Sequence, residues 1–127
     1  MITKNFYYKG KTLTAPDSYW VMSIIRRNKI SNGCGPKGWK GNLVPETMYG
    51  KNVSDACHIH DYMYHVGKTI EDKKKADVTF YKNLLIIVDG SWYNILVYLR
   101  RFRAKTYYKA VSVAGEKHFL KGKEGIK

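Results

Sequence analysis

Ser54-Asp55-Ala56-Cys57-His58-Ile59-His60-Asp61-Tyr62-Met63-Tyr64-His65-Val66, closed by Gly67, is the stretch on which the reading of this chain turns. Ala56, Ile59, Met63 and Val66 recur at spacings of three and four, which predicts an amphipathic helix with one face to bury. On that helix His60 and Tyr64 share a side, while Asp61 is rotated by one residue and stacks over His65. Three histidines, two aspartates and two tyrosines in about three and a half turns exceed what a core helix needs. The reading is a site, with His60 and Asp61 near the boundary between core and solvent, where a base and an anionic ligand can work.

Downstream, Thr69 to Val88 reads as a second helix. Thr69 and Asp72 have capping-box spacing, and Glu71 and Asp72 put acid in the first turn. Ile70, Ala76, Phe80, Leu84 and Ile87 form its apolar face, with Asp77 beside them. A carboxylate on a buried stripe is costly unless it is hydrogen-bonded, so Asp77 requires a partner. The link between the helices is too short for anything but an antiparallel pair, which makes His60 and Tyr64 the nearest candidates.

Upstream, Ser31 to Pro45 holds four glycines and two prolines and reads as a loop whose backbone can turn amides toward phosphate or carbonyls toward a cation. No Walker pattern is present, which weighs against a nucleotide site. Residues 1 to 31 form a basic, aromatic lead-in in which Pro16 and Asp17 open a short packing helix carrying Trp20, Val21, Ile24 and Ile25.

The 127 residues are 44% hydrophobic, which suits one domain spanning 1–127 with a modest core. The formal net charge of +13 predicts attraction to an anionic partner. The N-terminus lacks the apolar core of a signal peptide, and the most apolar run, Leu84 to Leu99, is interrupted and too short to span a bilayer. The expectation is a soluble protein. Cys34 and Cys57 allow one disulfide or two free thiols, and without an export signal free thiols are the default.

Cys34-Gly35 in a glycine-rich loop, then Ala56-Cys57-x-x-His60-Asp61-x-x-Tyr64, then Ala76-Asp77-x-x-Phe80, resembles the calcium-dependent phospholipase A2 family, including its compact bacterial and viral members. The resemblance covers roughly Asn32 to Leu85, in a motif region bounded at 32–88, and its parts fall in the family's order. It implies a mainly α fold: two antiparallel helices carry the site, a glycine-rich loop binds calcium, and a further C-terminal amphipathic helix follows. His60 then matches the general base, Asp77 the aspartate that orients it, and Tyr64 the tyrosine bonded to that aspartate. Asp61 matches the calcium-binding carboxylate. Gly33, Gly35 and Lys37 match the positions whose carbonyls complete the Ca2+ shell, with Gly38 as the alternative to Lys37, and the Gly35 amide matches the oxyanion donor. Cys57 and Cys34 match a bonded pair.

The implied activity is hydrolysis of the sn-2 acyl ester of glycerophospholipids, with His60 activating water at a membrane surface. Hard oxygen ligands suit Ca2+, whereas a zinc site of His58, His60 and His65 is disfavoured because His58 and His60 point apart. Tyr62 and Met63 read as packing residues, and His58 and His65 as exposed or supporting ones.

The extension 91–127 lies outside the resemblance. Trp92, Ile95, Leu96, Leu99, Phe102, Ala110 and Val113 give a helical apolar side, which packs on the core. Arg100, Arg101, Arg103, Lys105 and Lys109 form a basic face suited to an anionic phospholipid surface. His118 to Lys127 reads as a frayed tail. The alternative function is a non-catalytic basic module of the same fold that binds anionic lipid or nucleic acid. No groove-reading motif supports a specific nucleic-acid partner. The protein is expected to act peripherally at membranes, reaching them by another export route or with a virus or phage particle.

Overall fold

The computed structural model describes residues 2–8, 10–23, 25–26, 30, 44, 47–48, 51–88 and 94–123. Among these the chain is mainly helical. Strands β1 (Thr3–Tyr8) and β2 (Lys11–Pro16) precede helix α1 (Asp17–Val21). Strands β3 (Thr47–Met48) and β4 (Lys51–Asn52) precede helices α2 (Ser54–Val66), α3 (Ile70–Val88) and α4 (Asn94–Lys123).

The N-terminal segment departs from the sequence reading. It is an antiparallel hairpin in the register Thr3↔Pro16 to Tyr8↔Lys11, reversed through Gly10 at φ +81, a backbone that glycine adopts without a Cβ penalty. Leu13 to Pro16 are buried, so the hairpin meets the core through β2. The short helix does start at Asp17, after Pro16, but it stops at Val21. Val21 and Ile25, expected on its packing face, are 79% and 73% exposed. Its aromatic residues do the packing: Trp20 stacks on Phe6 at 5.0 Å, and Tyr19 meets Tyr62 edge-on at 5.4 Å.

Helices α2 and α3 run antiparallel, because contacts pair rising numbers on one with falling numbers on the other: His60 with Phe80, Tyr64 with Asp77, Gly67 with Asp72. The capping box forms as its residues dictate. The Asp72 amide donates to Thr69 Oγ1 at 3.1 Å, and Asp72 Oδ2 accepts from the amides of Lys68 and Thr69 at 2.9 and 3.3 Å. The Lys68 amide chiefly, with that of Thr69, holds the Asp72 carboxyl below its ordinary value.

Helix α4 returns along α3, with Tyr108 stacked on Tyr81 at 5.1 Å and Ser112 beside Lys73 and Asp77. Its buried side is Ala104, Val111, Gly115 and Phe119, at spacings of four and seven. Of the expected apolar side, Leu99, Phe102 and Val113 are instead 41%, 70% and 81% exposed and Ala110 is half-buried, while Trp92 and the side chains of Ile95 and Leu96 lie outside the described residues. The segment read as a frayed tail is also helical as far as Lys123, and Phe119 within it is buried against Tyr64 at 5.4 Å. The core is formed by Leu13, Ile59, Met63, Phe80, Leu84, Val111 and their neighbours. Among the described residues no helix is long and apolar enough to cross a membrane.

Candidate functional site

The site is built where α2, α3 and α4 meet. Helix α2 presents His60 and Tyr64 one turn apart, their rings 4.2 Å from centre to centre. Helix α3 brings Asp77 opposite them. His60 Nε2 lies 2.7 Å from Asp77 Oδ1, and the Tyr64 hydroxyl donates to the same oxygen at 2.7 Å. With Nε2 turned to the carboxylate, Nδ1 is the ring nitrogen that faces away from it. Phe80, one turn beyond Asp77, covers the His60 ring at 4.8 Å, and Phe119 closes on Tyr64.

The expectation that His60 sits at the core boundary is corrected: it is fully buried, whereas Asp61, the next residue, is half-buried. A polar ring inside an apolar cluster requires hydrogen bonding, and Asp77 supplies it.

The electrostatics follow from burial. Desolvation works against the charged form of Asp77, but hydrogen bonds from His60, Lys73 and Tyr64 and the charge of His60 outweigh it and hold the carboxyl below its ordinary value. Burial, then the Asp77 bond and the charges of Asp77 and Asp61, push the Tyr64 phenol far up, so it remains a neutral donor.

Sequence reasoning did not find two members of this cluster. Lys73 is buried one turn before Asp77, with Nζ 2.8 Å from Asp77 Oδ2, and Ser112 Oγ approaches the same oxygen from α4 at 3.4 Å. The signal for Lys73 was its place on the apolar stripe, three before Ala76 and seven before Phe80. No comparable signal exists for Ser112.

Among the residues matched to a calcium site, Asp61 is described and Gly33, Gly35, Lys37 and Gly38 lie outside the described residues. Among the described residues no group of three or more His, Cys, Asp and Glu side chains could hold a metal ion. A site of one carboxylate with backbone carbonyls is a different donor set, and the half-buried Asp61 carboxylate beside His60 is compatible with it. Cys57 corrects the free-thiol default, being buried and disulfide-bonded. The chain's other cysteine, Cys34, lies outside the described residues. Tyr62 and Met63 are packing residues as expected, with the Tyr62 hydroxyl 2.5 Å from Ser18 Oγ. His58 is half-buried and His65 exposed.

A cavity of 290 Å³ lies at the other end of α2, against Lys11, Asn52, Ser54 and Asp55, and includes none of the residues around His60. No family model, curated protein or solved structure matches the chain.

Proposed function

We propose that the protein is a calcium-dependent phospholipase A2-type hydrolase that cleaves the sn-2 acyl ester of glycerophospholipids at an anionic membrane surface. The observation that carries this reading is the buried triad in which Asp77 Oδ1 accepts from both His60 and Tyr64 at 2.7 Å. An aspartate on Nε2 fixes the tautomer in which Nε2 carries the proton and Nδ1 is the base.

In this reading His60 Nδ1 takes a proton from water as that water attacks the acyl carbonyl, then returns it to the departing glycerol oxygen. Fatty acid and lysophospholipid are released. Asp77 steadies the imidazolium between the two transfers, and Tyr64, kept neutral, steadies Asp77. Because the ring is closed from solvent, turnover requires that substrate entry open a path to Nδ1. Asp61 would hold Ca2+ together with loop carbonyls of Gly33, Gly35 and Lys37. Calcium bound there supplies Lewis-acid stabilisation of the oxyanion, alongside the Gly35 amide. The +13 net charge supports an anionic surface as the place of action.

The test is fatty-acid release from anionic phospholipid vesicles, with calcium and with excess chelator, for the wild type and His60→Ala. Calcium-dependent release that vanishes in a folded variant is the expected result. Vesicle binding without release, persisting in chelator, replaces the enzyme with a basic lipid-binding module.

A further inference from the structure

We propose that Lys73 is a positioning residue for the His60–Asp77 pair, and that Lys73 and Ser112 together make the C-terminal helix part of the site. The inference rests on the hydrolase reading above.

Asp77 has two oxygens with separate duties. Oδ1 faces His60 and Tyr64, and Oδ2 faces Lys73 Nζ at 2.8 Å and Ser112 Oγ at 3.4 Å. Lys73 is itself fixed from α4, donating from Nζ to the Ser112 carbonyl at 2.6 Å. A lysine ordinarily keeps its ammonium in water by extending its stem, yet Lys73 is only 6% exposed. Burying an ion pair gives little stability over an apolar pair of the same volume, so packing alone does not account for this arrangement. What the arrangement does provide is geometry. A carboxylate held at Oδ2 cannot rotate about its terminal bond without breaking the Lys73 contact. Oδ1 therefore stays in the line of Nε2, and the ring of His60 stays in one tautomer and one orientation. Helix α2 carries the base, α3 carries both the aspartate and the lysine that restrains it, and α4 supplies the carbonyl that restrains the lysine.

The experiment compares Lys73→Met, Asp77→Asn and the double variant with the wild type. Hydrolysis of the same anionic vesicles gives kcat and KM, and NMR of the His60 ring reports the Nε2 proton. Lys73→Met is expected to lower kcat about 10-fold or more with KM within about twofold, as loss of an orienting partner does. It is also expected to speed exchange of the Nε2 proton. In the Asp77→Asn background the added Lys73→Met change is expected to alter kcat by less than about twofold, since a residue acting through the carboxylate has nothing left to act on.

A Lys73→Met protein that is merely less heat-stable, with kcat and the Nε2 proton signal at wild-type values, overturns the proposal. So does a further large loss of kcat in the Asp77→Asn background. Should Lys73→Met alone not fold, the double variant, which buries neither charge, still gives the second comparison. A wild type that shows the Nε2 proton but releases no fatty acid rejects the hydrolase reading, while faster exchange in Lys73→Met then supports the positioning role on its own.

Discussion

Asn83 joins the N-terminal hairpin to the helix that carries Asp77: its Oδ1 accepts from the Thr14 amide and its Nδ2 donates to the Thr14 carbonyl, both at 2.8 Å. The side-chain amide thus acts as one residue of a further strand laid on β2, in a fully buried position. Asn83→Leu would leave both backbone groups of Thr14 buried and unpaired. Each such group costs about 1–3 kcal/mol, so a loss of at least about 2 kcal/mol is expected from urea unfolding. Hydrogen exchange at the Thr14 amide should rise in parallel, and an unchanged rate would refute the clamp.

The site also sets a pH dependence. The Asp77 carboxyl is held below its ordinary value of 3.8. The folded state therefore binds this proton more weakly than the unfolded chain, and stability rises with pH across the interval between the two values. The contribution is complete above 3.8 and is lost as the pH falls below it through the depressed folded value. The difference in melting temperature between the wild type and Asp77→Asn should narrow as the pH falls below that value. A constant difference would mean that the Asp77 charge is not what stabilises the fold.

Gly67 is required by proximity rather than by its φ of −66. A Cβ there would stand 2.8 Å from the Met63 carbonyl oxygen, 3.1 Å from Asp72 Cβ and 3.3 Å from Phe119 Cε2. The Met63 carbonyl cannot yield cheaply, because it also accepts from the Gly67 amide at 2.9 Å. Gly67→Ala is expected to cost about 1–3 kcal/mol, the range for overpacking, and to loosen Phe119 and the end of α4 first. Faster hydrogen exchange in α4 than in α3 would show that order of loss.

Helices α2 and α3 were legible because period and punctuation agree: an apolar stripe in each, Gly67 between them, and Thr69 with Asp72 at the second start. The need of Asp77 for a partner was legible for the same reason, since its position on the stripe fixed its burial. The hairpin has no clear signature because β1 is mostly exposed and its sequence, with Lys4 and Asn5 followed by Phe6, Tyr7 and Tyr8, gives no clean alternation. Lys9-Gly10 between threonine- and aromatic-rich runs was the available signal. In α4 the large apolar residues lie on both sides, and small Ala104 and Gly115 share the buried one, so hydrophobicity alone does not separate the buried face from exposed Leu99, Phe102 and Val113. Lys73 opens a run of three lysines whose other two are exposed, and nothing local distinguishes it except its register with Phe80.

The exposed side of α4 combines Tyr98 and Phe102, each 70% exposed, with the exposed Arg101, Arg103 and Lys105. Aromatic and basic residues together suit the boundary between headgroups and acyl chains of an anionic bilayer. Replacing Arg101 and Arg103 by glutamine should weaken binding to anionic vesicles by about 1 kcal/mol for each, with a larger effect at low salt. Cosedimentation with vesicles measures this, and binding that ignores both substitutions would place the docking surface elsewhere on the molecule.

Asp61 and His60 are adjacent in sequence but differ in environment, one half-buried and the other closed from solvent. A carboxylate that retains access to solvent can exchange water for a cation, while the neighbouring ring keeps its bond to Asp77. Asp61→Asn retains the shape and removes the charge, so it should weaken calcium binding by about 10-fold or more, read by calorimetric titration. The His60–Asp77–Tyr64 bonds do not involve the Asp61 side chain, so the comparison of calcium affinities is made on variants whose folding without calcium is checked by thermal melting. Any stabilisation of the wild type by added calcium should then shrink in the variant, because a ligand stabilises the fold according to its affinity. Equal calcium affinity in both proteins would remove Asp61 from the proposed calcium site, and with it the calcium-dependent step of the proposed hydrolysis.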